Sequence, residues 1–203
     1  VSPARDAEAL VRHFRAAGEP ELLFAAAQRA AEHAEEKQAF VRAAELSQVM
    51  VEARPSADPV LRAQWLEKAG DLFSLAARPV EAAEAFRQAL ELWLSVTHAD
   101  REAALTRLYA GVGLNLMTVG RYHEGVTFFE RGLALQGLPL HRSRADRVFT
   151  IGTLLVRQQV GRAFSASRGD QPADALTSAR LRLFDVMGQS FQPAWPFIAV
   201  EAA

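Results

Sequence analysis

Residues 109–135, YAGVGLNLMTVGRYHEGVTFFERGLAL, decide the fold, because residues 66–92, LEKAGDLFSLAARPVEAAEAFRQALEL, carry the same pattern 43 residues upstream. In both stretches a large residue is followed four positions on by glycine and seven positions on by a second large residue. The aligned pairs are Leu66 with Tyr109, Gly70 with Gly113, Phe73 with Leu116, Ala77 with Gly120, Ala82 with Gly125, Phe86 with Phe129, Ala89 with Gly132, and Leu90 with Leu133. Two antiparallel helices explain this pattern, since the small residues let the backbones approach and the large ones fill the space between them.

Helical periodicity extends over nearly the whole chain. Ala, Leu, Glu and Arg recur at i, i+3, i+4 and i+7, which predicts an all-α protein. Glycine and proline breakers divide it into about nine helices. The predicted ranges are 4–17, 20–35, 38–53, 60–77, 80–95, 100–119, 122–136, 141–168 and 172–189. Because one helix pair leaves an apolar face uncovered, we expect the pairs to stack as an α-solenoid.

The paired pattern resembles the tetratricopeptide repeat, a helix-turn-helix unit with a period of about 34 residues. The best matches are residues 63–96 and 106–139, and an insertion around SVTHADREA lengthens their spacing to 43 residues. Residues 4–55 and 141–189 match more loosely, as degenerate repeats. The resemblance implies one tetratricopeptide-like domain over residues 1–203.

A second resemblance concerns the N-terminal third. Residues 13–55, HFRAAGEPELLFAAAQRAAEHAEEKQAFVRAAELSQVMVEARP, are similar to the degenerate helical repeats behind the nucleotide-binding module of bacterial STAND-class signal-transduction ATPases, some of them fused to serine/threonine kinases. In that class the repeats act as a sensor and scaffold arm. We therefore expect the chain, which begins at Val1 without an initiator methionine, to be a piece of a larger signalling protein.

Composition excludes several classes of protein. There is no cysteine, so disulfides, thiolate metal sites and cysteine nucleophiles are ruled out. No run approaches the roughly 18 apolar residues that a membrane span needs, and the N-terminus has no secretory apolar core, so we expect a cytoplasmic location. Residues 1–100 carry 11 Lys or Arg against 16 Asp or Glu, whereas residues 101–203 carry 12 against 8. Such asymmetry is common on Glu-rich helical surfaces.

The sequence predicts no enzyme. The chain has no GxxxxGK[ST] phosphate loop, so any ATPase or kinase activity would lie outside it. Its five histidines form neither an HExxH motif nor a pair four residues apart, and its carboxylate pairs lie on Ala-rich helices that should face water. We accordingly predict no catalytic residue, cofactor or metal site.

The resemblance to the tetratricopeptide repeat implies a partner groove lined by the first helix of each pair. Carried over by register, the candidate partner groove comprises Gln64, Lys68, Asp71, Arg107, Leu114 and Met117. Few of these positions carry the basic residues with which carboxylate-clamp members grip an acidic tail. Leu114 and Met117 instead suggest an apolar ligand, or another helix of the same chain that fills the groove.

A basic stripe is predicted further along the chain. Three arginines fall near one face of the predicted helix 141–168 and are candidates for binding nucleic acid or a phosphorylated peptide: Arg144, Arg147 and Arg157. No aromatic residues interleave them as a base-stacking platform would require, and Asp146 interrupts them, so a solvated face is favoured over a nucleic-acid site.

Function is accordingly predicted at the level of a class. The leading hypothesis is a non-catalytic protein-interaction or sensor module, whose partner is a protein, a peptide or another domain of the parent chain. The alternatives are a free-standing adaptor that scaffolds two proteins, and an all-α ligand-binding or enzymatic domain whose site assembles from dispersed residues.

Overall fold

The computed structural model describes residues 3–137, 176–178 and 182–183, and burial from residue 8 onward. Every regular element in this part of the chain is helical, which confirms the all-α prediction. Its seven long helices are α1 (Pro3–Ala17), α2 (Pro20–Glu36), α3 (Phe40–Ala53), α4 (Pro59–Leu75), α5 (Pro79–Ser95), α6 (Arg101–Thr118) and α7 (Tyr122–Leu135). The helices predicted over 141–168 and 172–189 lie outside the described residues, apart from the helical positions 176–178 and 182–183, so the count of nine stays a prediction.

Local chemistry explains where the helices begin. Four of them, α1, α2, α4 and α5, start at a proline, whose fixed φ suits the first helical turn and whose missing N–H is not needed there. Before α4, a carboxylate oxygen of Asp58 accepts a 2.7 Å hydrogen bond from the backbone N–H of Val60. That bond satisfies one of the four donors that a helix N-terminus leaves unpaired. Helix α4 begins at Pro59, one residue before the predicted start at residue 60.

One turn geometry recurs after α1, α2, α4 and α6. The first or second residue after each helix takes a left-handed φ, namely 70° at Gly18, 57° at Gln38, 55° at Ala77 and 79° at Gly120. The next N–H in the chain then donates back to a carbonyl five residues earlier, as in a Schellman motif. These bonds run from Glu19 to Phe14 (3.1 Å), Ala39 to Ala34 (2.8 Å), Arg78 to Phe73 (2.9 Å) and Arg121 to Leu116 (2.9 Å). Each turn thus reverses the chain within a few residues.

Contacts within the chain group its residues into two compact units, Val1–Thr97 and His98–Ala203. In the first unit every helix from α1 to α5 packs against its neighbours in sequence. Side chains also link alternate helices. Arg42 of α3 pairs with Glu8 of α1 at 3.0 Å, and Lys68 of α4 pairs with Glu35 of α2 at 2.6 Å. Long side chains therefore join α1 to α3 and α2 to α4.

In the second unit α6 and α7 form a hairpin with the same internal contact as α4 and α5. A Cβ added at Gly113 would lie 2.8 Å from Cε1 of Phe129, and one added at Gly70 would lie 2.7 Å from Cδ1 of Phe86. Such distances are shorter than real Cβ contacts, so both positions require glycine for this arrangement. The 43-residue pattern in the sequence therefore corresponds to one packing contact formed twice.

Candidate functional site

The first three candidate groove residues share one face of α4. Gln64, Lys68 and Asp71 are spaced i, i+4 and i+7, which places them on a single helical stripe. Gln64 and Lys68 are exposed and Asp71 is half-buried. The Lys68 ammonium lies 2.6 Å from a carboxylate oxygen of Glu35 on α2, so part of this stripe is engaged by the neighbouring helix.

Beside this stripe, an aromatic cluster joins α2 to α4. The rings of Phe24 and Trp65 lie 5.0 Å apart between centroids, in a tilted arrangement. The guanidinium of Arg54, which follows α3, stacks 3.8 Å above the Phe24 ring and is also ion-paired with Glu21. Phe24 is buried, whereas Trp65 is half-buried and the Arg54 side chain keeps 37% of its exposure. An aromatic pair capped by a cation, partly open to solvent, combines residue types that dominate binding energy in protein interfaces.

Sequence reasoning missed this cluster. Trp65 directly precedes Leu66 of the repeat, and Phe24 lies near the start of α2, so both aromatic residues belong to predicted helices. Their spacing of 41 residues gives no local signal of contact, because the pairing depends on how α2 and α4 are placed in the first unit. Arg54 similarly reaches Phe24 only because α3 ends beside α2.

The other three groove residues lie on α6 in the second unit. Arg107 and Leu114 are half-buried, whereas Met117 is 5% exposed. A Cβ added at Gly125 would lie 2.7 Å from Cγ of Met117, so the methionine fills space inside the α6–α7 hairpin. Met117 belongs to a buried apolar cluster against which Leu114 also packs. Within this unit the structure brings Leu114 and Met117 together as packing residues.

The remaining predicted residues fall elsewhere. Arg144, Arg147 and Arg157 of the basic stripe lie outside the described residues. In the part of the chain that is described, no three His, Asp or Glu side chains converge as a metal site would need. Nor does that part contain a helix with the length and apolar character required to cross a bilayer.

No protein-family model matches this chain, and no curated protein is significantly similar to it. Its function must therefore be inferred from the chemistry of the helix surfaces.

Proposed function

We propose that the chain is a tetratricopeptide-like α-solenoid that acts as a non-catalytic interaction or sensor module of a larger bacterial, cytoplasmic signalling protein. The single observation that carries this proposal is the joint surface of α2 and α4. There the Phe24–Trp65 pair and the Glu35–Lys68 ion pair join α2 to α4, and the guanidinium of Arg54, which follows α3, lies over the Phe24 ring. Such a surface suits an extended peptide or a helix, because it offers an aromatic anchor beside charges of both signs.

The chemistry of this surface favours recognition over catalysis. The carboxylates at its edge are engaged by cations, with Glu21 paired to Arg54 and Glu35 paired to Lys68. A general base or nucleophile needs a partner that tunes its reactivity and a cleft that excludes water. Ion pairs between neighbouring helices instead hold the helices in register and set the charge pattern that a partner meets.

The experiment that tests the proposal is site-specific photocrosslinking in the native host, with the intact parent protein. A photoreactive residue replaces Gln64, which is exposed on the candidate surface. The matched control replaces Gln88, which is also exposed and lies on α5, the second helix of the same hairpin. We expect a discrete protein adduct from position 64, competed by added partner, and none from position 88.

The same experiment has outcomes that refute the proposal. Adducts of equal yield from both positions would show that contact is not confined to the α2–α4 surface. A position 64 variant that forms no adduct, while the parent protein retains its signalling output, would show that this surface is not used. The variant Trp65→Ala provides a second measurement, because loss of a central aromatic anchor typically weakens a protein interface by about 2 kcal/mol or more.

A further inference from the structure

The described part of helix α1 buries fewer residues than any other helix of the first unit. From residue 8, where burial is described, to the end of the helix, Val11 is the one buried residue, at 3% exposure, and Leu10 and Phe14 are half-buried. Helices α2, α3, α4 and α5 each bury six or seven residues. A helix with so few buried apolar side chains opens at a lower free energy than the helices around it.

Two ion pairs join α1 to α3. A carboxylate oxygen of Glu8 lies 3.0 Å from Nε of Arg42, and a terminal nitrogen of Arg15 lies 2.6 Å from a carboxylate oxygen of Glu52. The two pairs have opposite polarity, because α1 contributes the acid to the first and the base to the second. Sliding α1 by about two turns would bring Glu8 towards Glu52, so the pairs also fix the register of α1 on α3.

Both ion pairs are open to solvent. The side chains of Arg15 and Glu52 keep 53% and 64% of their exposure, and those of Arg42 and Glu8 keep 39% and 48%. Salt weakens such pairs, because the screening length falls from about 10 Å at 0.1 M to about 3 Å at 1 M ionic strength. Losing one exposed pair changes an opening equilibrium by up to about fivefold. That effect matters for α1, which has little else to hold it, more than for the helices with many buried residues.

We propose that α1 is a salt-sensitive lid on the α2–α3 hairpin, held by the Glu8–Arg42 and Arg15–Glu52 pairs, and that it opens while α2 to α5 stay folded. Opening uncovers the side of α2 against which α1 packs. Because α2 also carries Phe24, the lid and the proposed partner surface share one helix. The lid does not depend on the proposed partner function, and its tests need no partner.

The first test measures access to the buried side of α1. Val11→Cys and Val49→Cys are matched variants, because the two valines are 3% and 8% exposed and lie on α1 and α3. The chain has no cysteine, so each variant carries a single thiol. With labelling rates normalised to the urea-unfolded chain at the same salt, a maleimide probe should label position 11 at least about tenfold faster than position 49. Raising NaCl from about 0.05 M to about 0.5 M should speed labelling at position 11 by about threefold and leave position 49 unchanged. Equal rates at the two positions, or no response to salt at position 11, would overturn the proposal.

The second test assigns the opening to an ion pair by reversing its charges. The Arg15–Glu52 pair is suitable, because Arg42 also pairs with Glu45 within α3. Glu52→Arg places a cation against Arg15, and we expect hydrogen exchange of the α1 amides in the full chain to become about fivefold faster. Adding Arg15→Glu should restore most of the protection.

The control for the charge reversal is Glu91→Arg, which makes the same change of charge at an exposed position of α5 and should leave α1 exchange unaltered. If Glu52→Arg had no effect on α1, or if the double variant stayed as open as the single one, the ion pairs would not hold the lid. If the α1 amides of the unsubstituted chain exchanged as slowly as those of α3, α1 would open only with the whole unit, and the lid itself would be refuted.

Discussion

The contact between Gly113 and Phe129 gives the sharpest test of the hairpin packing. In Gly113→Ala, the new methyl carbon would lie 2.8 Å from Cε1 of Phe129 and 3.0 Å from Cδ1 and Cζ. Phe129 is 0% exposed, so its ring has no solvent-filled space into which to move. Either the ring leaves its preferred rotamer or the two helices move apart, and both responses disturb the rest of the buried cluster.

Two opposing effects set the magnitude. Overpacking of this kind costs about 1–3 kcal/mol, whereas replacing a mid-helix glycine by alanine gains about 1 kcal/mol in helix propensity. We expect a net loss of up to about 2 kcal/mol in the free energy of unfolding of the second unit. Gly70→Ala should behave in the same way in the first unit, since its added carbon would lie 2.7 Å from two carbons of Phe86.

Urea denaturation followed by far-ultraviolet circular dichroism measures the loss. The decisive control is the same substitution in a Phe129→Leu background, where the ring edge that opposes the methyl group is removed. There Gly113→Ala should stabilise the unit by up to about 1 kcal/mol, because only the propensity effect remains. If Gly113→Ala raised stability with Phe129 in place, the close contact would be wrong. An effect of the same sign in both backgrounds would show that the glycine is needed for another reason.

Three further substitutions test the turns, the helix start and the charges. Residues 77 and 120 both have a left-handed φ, which favours glycine over alanine. Ala77→Gly should therefore stabilise the chain by about 0.5–1 kcal/mol, and Gly120→Ala should destabilise it by about as much. Matching urea midpoints for the two variants and the parent chain would refute this. Asp58→Ala should cost about 1 kcal/mol by loss of the cap on α4, and Asp58→Asn, which keeps an acceptor, should restore most of it in the same assay. The Arg78 guanidinium, by hydrogen bonding, lowers the pKa of Glu81 below its ordinary value of 4.5. The stabilisation from this pair is therefore present above that pH and is lost as the pH falls through the lowered pKa. Glu81→Gln should leave stability unchanged at low pH and reduce it slightly at neutral pH, and a loss of equal size at both would contradict the assignment.

The sequence predicted the helix ends of the described range to within two residues, because prolines and glycines mark them chemically. The largest differences are two residues: α3, predicted to begin at residue 38, begins at Phe40, and α4, predicted to end at residue 77, ends at Leu75. Helix α4 ends at Leu75 because Ala77 takes a left-handed φ. Alanine, unlike glycine, gives no sequence signal of that conformation. The Phe24–Trp65 contact could not be predicted from the sequence for a different reason. A contact between residues on different helices depends on how the helices are placed and produces no periodic pattern in the sequence.

The two hairpins share one close contact and differ along the stripe beside it. Their glycine–phenylalanine contact is the same, because two helices can approach closely only where one contributes no side chain. Their outer stripes differ, with Asp71 on α4 aligned with Leu114 on α6. Leu114 packs against the buried cluster that contains Met117 and Leu183, whereas the aligned Asp71 is a half-buried polar residue on α4. The repeated pattern therefore fixes the contact between the two helices of a hairpin, while the residues along this stripe differ from one hairpin to the next.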